Sequence, residues 1–292
     1  MTIDQDRLER VCRRADELLW AGYVHSFLDE GSAPAASHAA ALRIVFPLKG
    51  SERRVGRQEA RLAFVAALVG GDPADGAGGG GPAGGPGGAP AGWGIAVETP
   101  TRLSYRMAQR GPSPKAQRGL HDLALFRHDD TTPELVVEFE SGGRSGHAAR
   151  DENLTRDMAT ILAEPPDALW FHVLRGANSA SLPELLGALD AAISTLSNPL
   201  KLGRYAAAGK QVMPRAKTIA FHVCLLNPDL RASLHRVLDY VPGKPVRGFF
   251  AIETRGAGEP GGHEAPAEGA QTEFDQALEI ADGGGWAVFR GE

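Results

Sequence analysis

Leu135-Val136-Val137-Glu138-Phe139-Glu140 is the stretch on which the reading of this chain turns. Apolar on both faces, it has the composition of a central strand, yet it carries two carboxylates. Side chains alternate along a strand, so Glu138 and Glu140 share a face with Val136, while Leu135, Val137 and Phe139 fill the other. Their Cα atoms are expected roughly 6.5–7 Å apart. Anionic groups held together in a buried strand repel one another and are poorly solvated. A divalent cation is the simplest remedy, and this makes the pair a candidate site.

A second apolar run, His121-Asp122-Leu123-Ala124-Leu125-Phe126, precedes it, with a turn over His128 to Pro133 between them. The two are predicted to pair as antiparallel strands. By alternation, His121 should face away from the side that Asp122 occupies.

Upstream, Asp4 to Phe27 reads as a helix and Ile95 to Glu98 as a strand. Ser51 to Val69 reads as a second helix, with Ser51 as N-cap and an apolar stripe of Leu62, Val65, Ala66 and Val69. Downstream, Asp151 to Ala163 is an amphipathic helix with Leu154, Met158, Ile161 and Leu162 on one side, stopped by Pro165-Pro166. Leu169 to Leu174 and Thr218 to Leu226 are apolar strands, Leu182 to Leu196 and Leu230 to Leu238 helices, and Gly248 to Glu253 a last strand. The order implies an α/β fold with a mixed central β-sheet flanked by helices. It is read as one domain over 1–292, with a helical N-terminal part (1–69), a disordered Gly/Pro-rich insertion (70–94) and a further loop (256–270).

Composition narrows the function classes. Apolar content of 42% with 23% charged residues fits a globular chain able to bury a large core. The net charge of −5 does not mark a general polyanion binder, so nucleic-acid contact would need local patches. Cys12 and Cys224 lack CxxC spacing, which argues against a cysteine zinc site or a disulfide framework. The glycine run Gly78 to Gly81 lacks the Lys-Ser/Thr of a phosphate-binding loop. A charge-dense N-terminus and the absence of a long apolar run predict a cytoplasmic protein with no membrane partner.

A helix with Glu59, a strand with Glu98, a strand opening at Asp122, a strand ending in Glu138-x-Glu140 and a following helix together resemble the PD-(D/E)xK nucleases, the restriction-endonuclease-like superfamily. The resemblance covers about residues 51–175. Val97-Glu98-Thr99-Pro100-Thr101, Tyr105, Asp122-Leu123-Ala124-Leu125, Arg156-Asp157 and Trp170-Phe171-His172 also look like an uncharacterised bacterial group of that fold. It implies a metal-dependent nuclease, acting on DNA more than RNA, in bacterial defence or DNA processing, with a homodimer open as an arrangement. Asp122 and Glu138 would hold Mg²⁺ or Mn²⁺, and Glu59 and Glu98 would support the metal through water. The departure is Glu140, which stands where the family usually has lysine. Lys115 and Arg144 are candidates for the missing charge. Glu140 itself is a candidate general base or a solvated strand end.

Two acid-free basic stretches suit a phosphate backbone. One holds Arg102, Arg106, Arg110, Lys115 and Arg118; the other holds Lys201, Arg204, Lys210, Arg215 and Lys217. His172 and His222 follow Phe in apolar strands and read as core histidines, and Glu273 and Asp275 as helix-surface charge. Two rivals stay open: a catalytically silent nuclease-like module that binds nucleic acid or a protein, and an α/β interaction protein whose carboxylates are incidental.

Overall fold

A computed structural model describes residues 4–24, 48–49, 52–53, 56–70, 93–106, 116–127, 130–142, 147–175, 181–206, 214–227, 230–246, 248–250 and 268–291. Long runs of β-branched, leucyl and aromatic residues build the centre of the fold. They form β3 (Trp93–Arg106), β4 (Ala116–Arg127), β5 (Leu135–Gly142), β6 (Asp167–Arg175), β7 (Lys217–Asn227), β8 (Leu230–Tyr240) and β9 (Ala287–Arg290). These make one open seven-stranded sheet in the order β3-β4-β5-β6-β7-β8-β9. The β5–β6 and β6–β7 pairs are parallel and the rest antiparallel. The two parallel steps need crossovers, and α3 (His147–Ala163) and α4 (Ser181–Leu196) with α5 (Pro199–Tyr205) provide them.

Alternation then sorts the core into two layers. Val136, Trp170, Phe221 and Leu234 face α3, α4 and α6 (Glu268–Gly283). Val137, Phe139, Phe171 and Ala220 face α1 (Gln5–Val24) and α2 (Arg57–Val69). The chain is thus an α/β protein with a seven-stranded mixed open sheet and, among the described residues, six helices. None of those helices is long and apolar enough to cross a membrane.

Several expectations are corrected. The helix expected from Ser51 begins at Arg57, and Glu52–Arg53 (β2) instead pairs with Leu48–Lys49 (β1). The N-cap is Gly56, whose N–H donates to Glu59 Oε2 at 2.8 Å. The helix buries Ala60, Ala63, Phe64 and Ala67, leaving Leu62 60% and Val69 45% exposed. Phe64 decides the rotation: its ring makes edge contacts with Phe139 and Phe171 at 5.7 and 6.2 Å, while the alanines face the core with it. The expected N-terminal helical part therefore contains a short hairpin.

Leu230 to Leu238, expected helical, is strand β8. Leu230, Leu234, Val237 and Leu238 mimic a helical repeat. The strand alternation was hidden by Arg236, an inward-facing cation whose guanidinium stacks 3.9 Å from the Phe249 ring centroid. Residues 248–250 are bends and not strand; 251–253 lie outside the described residues. The strand expected at Ile95 to Glu98 runs on to Arg106. Of the expected 70–94 insertion, Gly70 caps α2 and 93–94 open β3; 71–92 are outside the described residues. The loop expected over 256–270 has ended by Glu268, where α6 starts. Asp275 on α6 pairs with Arg290 at 2.7 Å, as a surface charge should.

Lys217 is not a surface cation. It is buried, and its ammonium donates to the Ile161 and Glu164 carbonyls at the end of α3. Desolvation pulls its pKa from 10.5 down to about 7, outweighing the attraction of Glu164 and Asp167. Between those values the unfolded chain holds a proton that the folded chain has released, so stability rises with pH across that window. In chemical denaturation, the wild type should gain stability relative to Lys217→Met on going from pH 7 to 9.5. Parallel profiles for the two proteins would show that Lys217 keeps its charge when folded.

Candidate functional site

The β4–β5 ladder pairs Leu125 with Leu135, Ala124 with Val136 and Leu123 with Val137. Past that point a side chain replaces the ladder: Phe139 N–H donates to Asp122 Oδ2 at 2.8 Å. β5 continues alongside β6, placing Glu138 beside Trp170 and Glu140 beside His172. The Glu138 carboxylate is buried against the Asp122 backbone and His121. Asp122 and Glu138 both lie at the end of the ladder, close enough for the Asp122 charge to act on Glu138.

His121 does not face away. Its Nδ1 lies 2.7 Å from Glu138 Oε1, with both groups buried. The backbone of β3 is irregular opposite this point: Val97 pairs with Leu123 and Thr99 with His121, while Glu98 between them takes φ +51°. A non-glycine residue in the left-handed region costs about 1–2 kcal/mol. The distortion lies where β4 must present both His121 and Asp122 to one site.

Helices supply the remaining groups. Arg57 opens α2 and pairs with Glu140, and its Nη2 lies 3.6 Å from Asp157 Oδ2 on α3. Arg156 Nε sits 3.6 Å from the other Asp157 oxygen. Arg57 thus bridges Glu140 and Asp157, and its charge also acts on Glu138. Sequence reading missed Arg57 because its role depends on how α2 docks, and Asp157 appeared there only through resemblance.

The electrostatics are those of crowded, buried acids. Burial raises the Glu138 pKa well above its usual value, and Asp157 and Asp122 push it further. Asp157 is raised to about 6, first by burial, against the pull of Arg57 and Arg156. Burial lowers His121 to about 4. Burial thus disfavours the charged form of both partners of the Glu138–His121 bond.

The other predicted residues lie at varying distances from this cluster. Glu59 caps α2 through Gly56 N–H. Glu98 is exposed, 3.8 Å from Arg61 Nη1, and Arg61 also donates to the Asp122 carbonyl at 3.4 Å. Arg102 and Arg118 are exposed on β3 and β4, and Arg106 ends β3. Arg110, Lys115 and Arg144 lie outside the described residues.

Does this set suit magnesium? The ion accepts one or two protein carboxylates and keeps several waters. Glu138 and Asp122, whose charge opposes the ionisation of Glu138, meet that requirement. They do not form a closed cage. Among the described residues, the one set of three His, Cys, Asp or Glu ligand atoms within 4.8 Å of one another is Cys12, His222 and His235, elsewhere in the fold. No family model, curated protein or solved structure matches the chain.

Proposed function

We propose that the chain is a metal-dependent phosphodiesterase acting on nucleic acid, with DNA favoured over RNA. The observation that carries this reading is the clustering of Asp122 and Asp157 about the buried Glu138 at the end of the β4–β5 ladder, with Arg57 held between Glu140 and Asp157. The order α2-β3-β4-β5-α3-β6 also retains the helix, three strands and helix that suggested a restriction-endonuclease-like core.

In this reading Asp122 and Glu138 hold Mg²⁺ or Mn²⁺. The ion would polarise the phosphoryl oxygen and acidify a bound water. Asp157, with a pKa near the working range, takes a proton from the attacking water. Arg57, fixed between Glu140 and Asp157, supplies the cation that the family places at position 140 and faces the phosphate. His121 is a positioning residue that orients Glu138. Arg102, Arg106, Arg110, Lys115 and Arg118 hold the flanking backbone.

One observation favours a second reading, a silent module that binds nucleic acid without cutting it: Glu140 is already neutralised by Arg57. Supercoiled plasmid, single-stranded DNA and RNA incubated with Mg²⁺ or Mn²⁺, against EDTA, separate the two. Metal-dependent nicking, reduced about 100-fold in Arg57→Ala, supports the enzyme. Salt-sensitive binding without cleavage supports the module. Neither binding nor cleavage rejects both.

A further inference from the structure

α1 and the β7–β8 pair enclose a second polar cluster that the acid site does not use. Cys12 and Asp16 lie one turn apart on α1, so both face the sheet. His222 on β7 and His235 on β8 are direct cross-strand partners. All four are buried in an otherwise apolar layer. The sequence pattern alone makes His222 a core histidine and speaks against a cysteine zinc site, because 206 residues separate Asp16 from His222 and no spacing motif bridges that distance.

We propose that Cys12, His222 and His235 form a zinc site, with Asp16 as the outer partner that orients His222. Asp16 Oδ2 accepts from His222 Nε2 at 2.8 Å. A carboxylate can only accept there, so the proton is on Nε2 and the Nδ1 lone pair is bare. That bare nitrogen points at His235 Nδ1, 3.3 Å away. Two ligands on a tetrahedral ion with Zn–N bonds of about 2.0–2.1 Å stand about 3.3–3.4 Å apart. Cys12 Sγ lies within 4.8 Å of one ring nitrogen of each histidine.

The donor chemistry also chooses the ion. Two imidazoles and a thiolate suit zinc and repel magnesium or calcium, which want oxygen. The carboxylate–histidine–metal relay is the usual outer arrangement of such a site. A cavity of about 450 Å³, lined by Asp16, Ser233, Arg13 and Arg231 among others, reaches the outer partner of the cluster. Water completes the fourth position. The ion would tie α1 to the sheet, next to the bond from Trp20 Nε1 to the Leu225 carbonyl.

The test uses the full chain without a polyhistidine tag. After dialysis against zinc and then buffer, mass spectrometry of the metal content should give about one zinc per chain. The Cys224→Ser variant should keep it, because Cys224 is outside the ligand set, while Cys12→Ser and His235→Asn should lose it. Cobalt substitution of the wild type should give the visible bands of a tetrahedral ion and a thiolate charge-transfer band. Stripping the ion should lower Tm by roughly 5–10 °C. Wild-type protein that takes up neither zinc nor cobalt overturns the proposal and leaves a hydrogen-bonded network. Cobalt bound with octahedral spectra, or retained in Cys12→Ser, overturns the ligand assignment.

Discussion

Glu164→Ala should destabilise the fold by about 3–5 kcal/mol, the largest single-residue stability effect expected outside the apolar core. Glu164 follows the last residue of α3 and is buried. Its two oxygens accept from three donors on β3: Arg102 N–H at 3.0 Å, Leu103 N–H at 2.9 Å and Tyr105 hydroxyl at 2.9 Å. Arg102 and Leu103 sit where the β3–β4 register shifts between Pro100 and Ser104, so β4 does not pair them regularly. Burial and the adjacent carboxylate raise the Tyr105 pKa, keeping its phenol a donor. Lys217, on the same side, is drawn towards its charged form by Glu164.

Alanine would leave buried donors unmatched and remove the charge that most favours the charged form of Lys217. Tyr105→Phe removes only one bond and should cost about 1 kcal/mol. Urea denaturation at unchanged m-value measures both, and native-state hydrogen exchange should show β3 opening first in Glu164→Ala. Equal small losses in the two variants would mean that the β3 donors find other partners.

Local pattern carried much of this architecture, and its failures have local causes. Leu135 to Glu140 was legible because burial on both faces and two carboxylates conflict within one short run. The β4–β5 pair followed from its turn, and α3, β6, α4 and β7 from unbroken periodicity. β8 was misread because one inward arginine, stacked on an aromatic ring, broke its alternation and left a helical repeat of leucines. α2 was rotated because three alanines and Phe64, not its larger aliphatic residues, face the core. At the candidate site, Asp122, Glu138 and Glu140 could be read in sequence because they interrupt the apolar runs of β4 and β5, whereas Asp157, on α3, came only with the resemblance. Arg57 and the inward turn of His121 could not: the first depends on helix docking, the second on the left-handed kink at Glu98. The Cys12, His222 and His235 cluster needed the whole sheet to assemble before it existed.

Asp122→Asn and Glu138→Gln should each lower metal-dependent cleavage at least about a thousand-fold, the several kcal/mol that an organised metal contributes to a phosphoryl transition state. The choice of amides matters. Asn at 122 still accepts from Phe139 N–H, and Gln at 138 still reaches His121, so the bonds at 2.8 and 2.7 Å survive. What disappears is charge. Because Asp122 and Asp157 oppose ionisation of Glu138, removing a carboxylate relieves repulsion, and Tm should hold or rise. A variant that is no less stable yet cannot cut separates catalysis from folding.

The lysine question is settled by a pair of changes. If Arg57 has taken over the cationic role, Arg57→Ala loses cleavage while Glu140→Lys alone gains nothing, since the guanidinium loses its partner as the new charge arrives. The double change Arg57→Ala with Glu140→Lys should then recover part of the loss, because one cation again stands beside the phosphate without a competitor. Plasmid nicking rates of the four proteins give the coupling directly. Purely additive losses would show that Arg57 only neutralises Glu140 and Asp157, and that the reacting phosphate meets another cation.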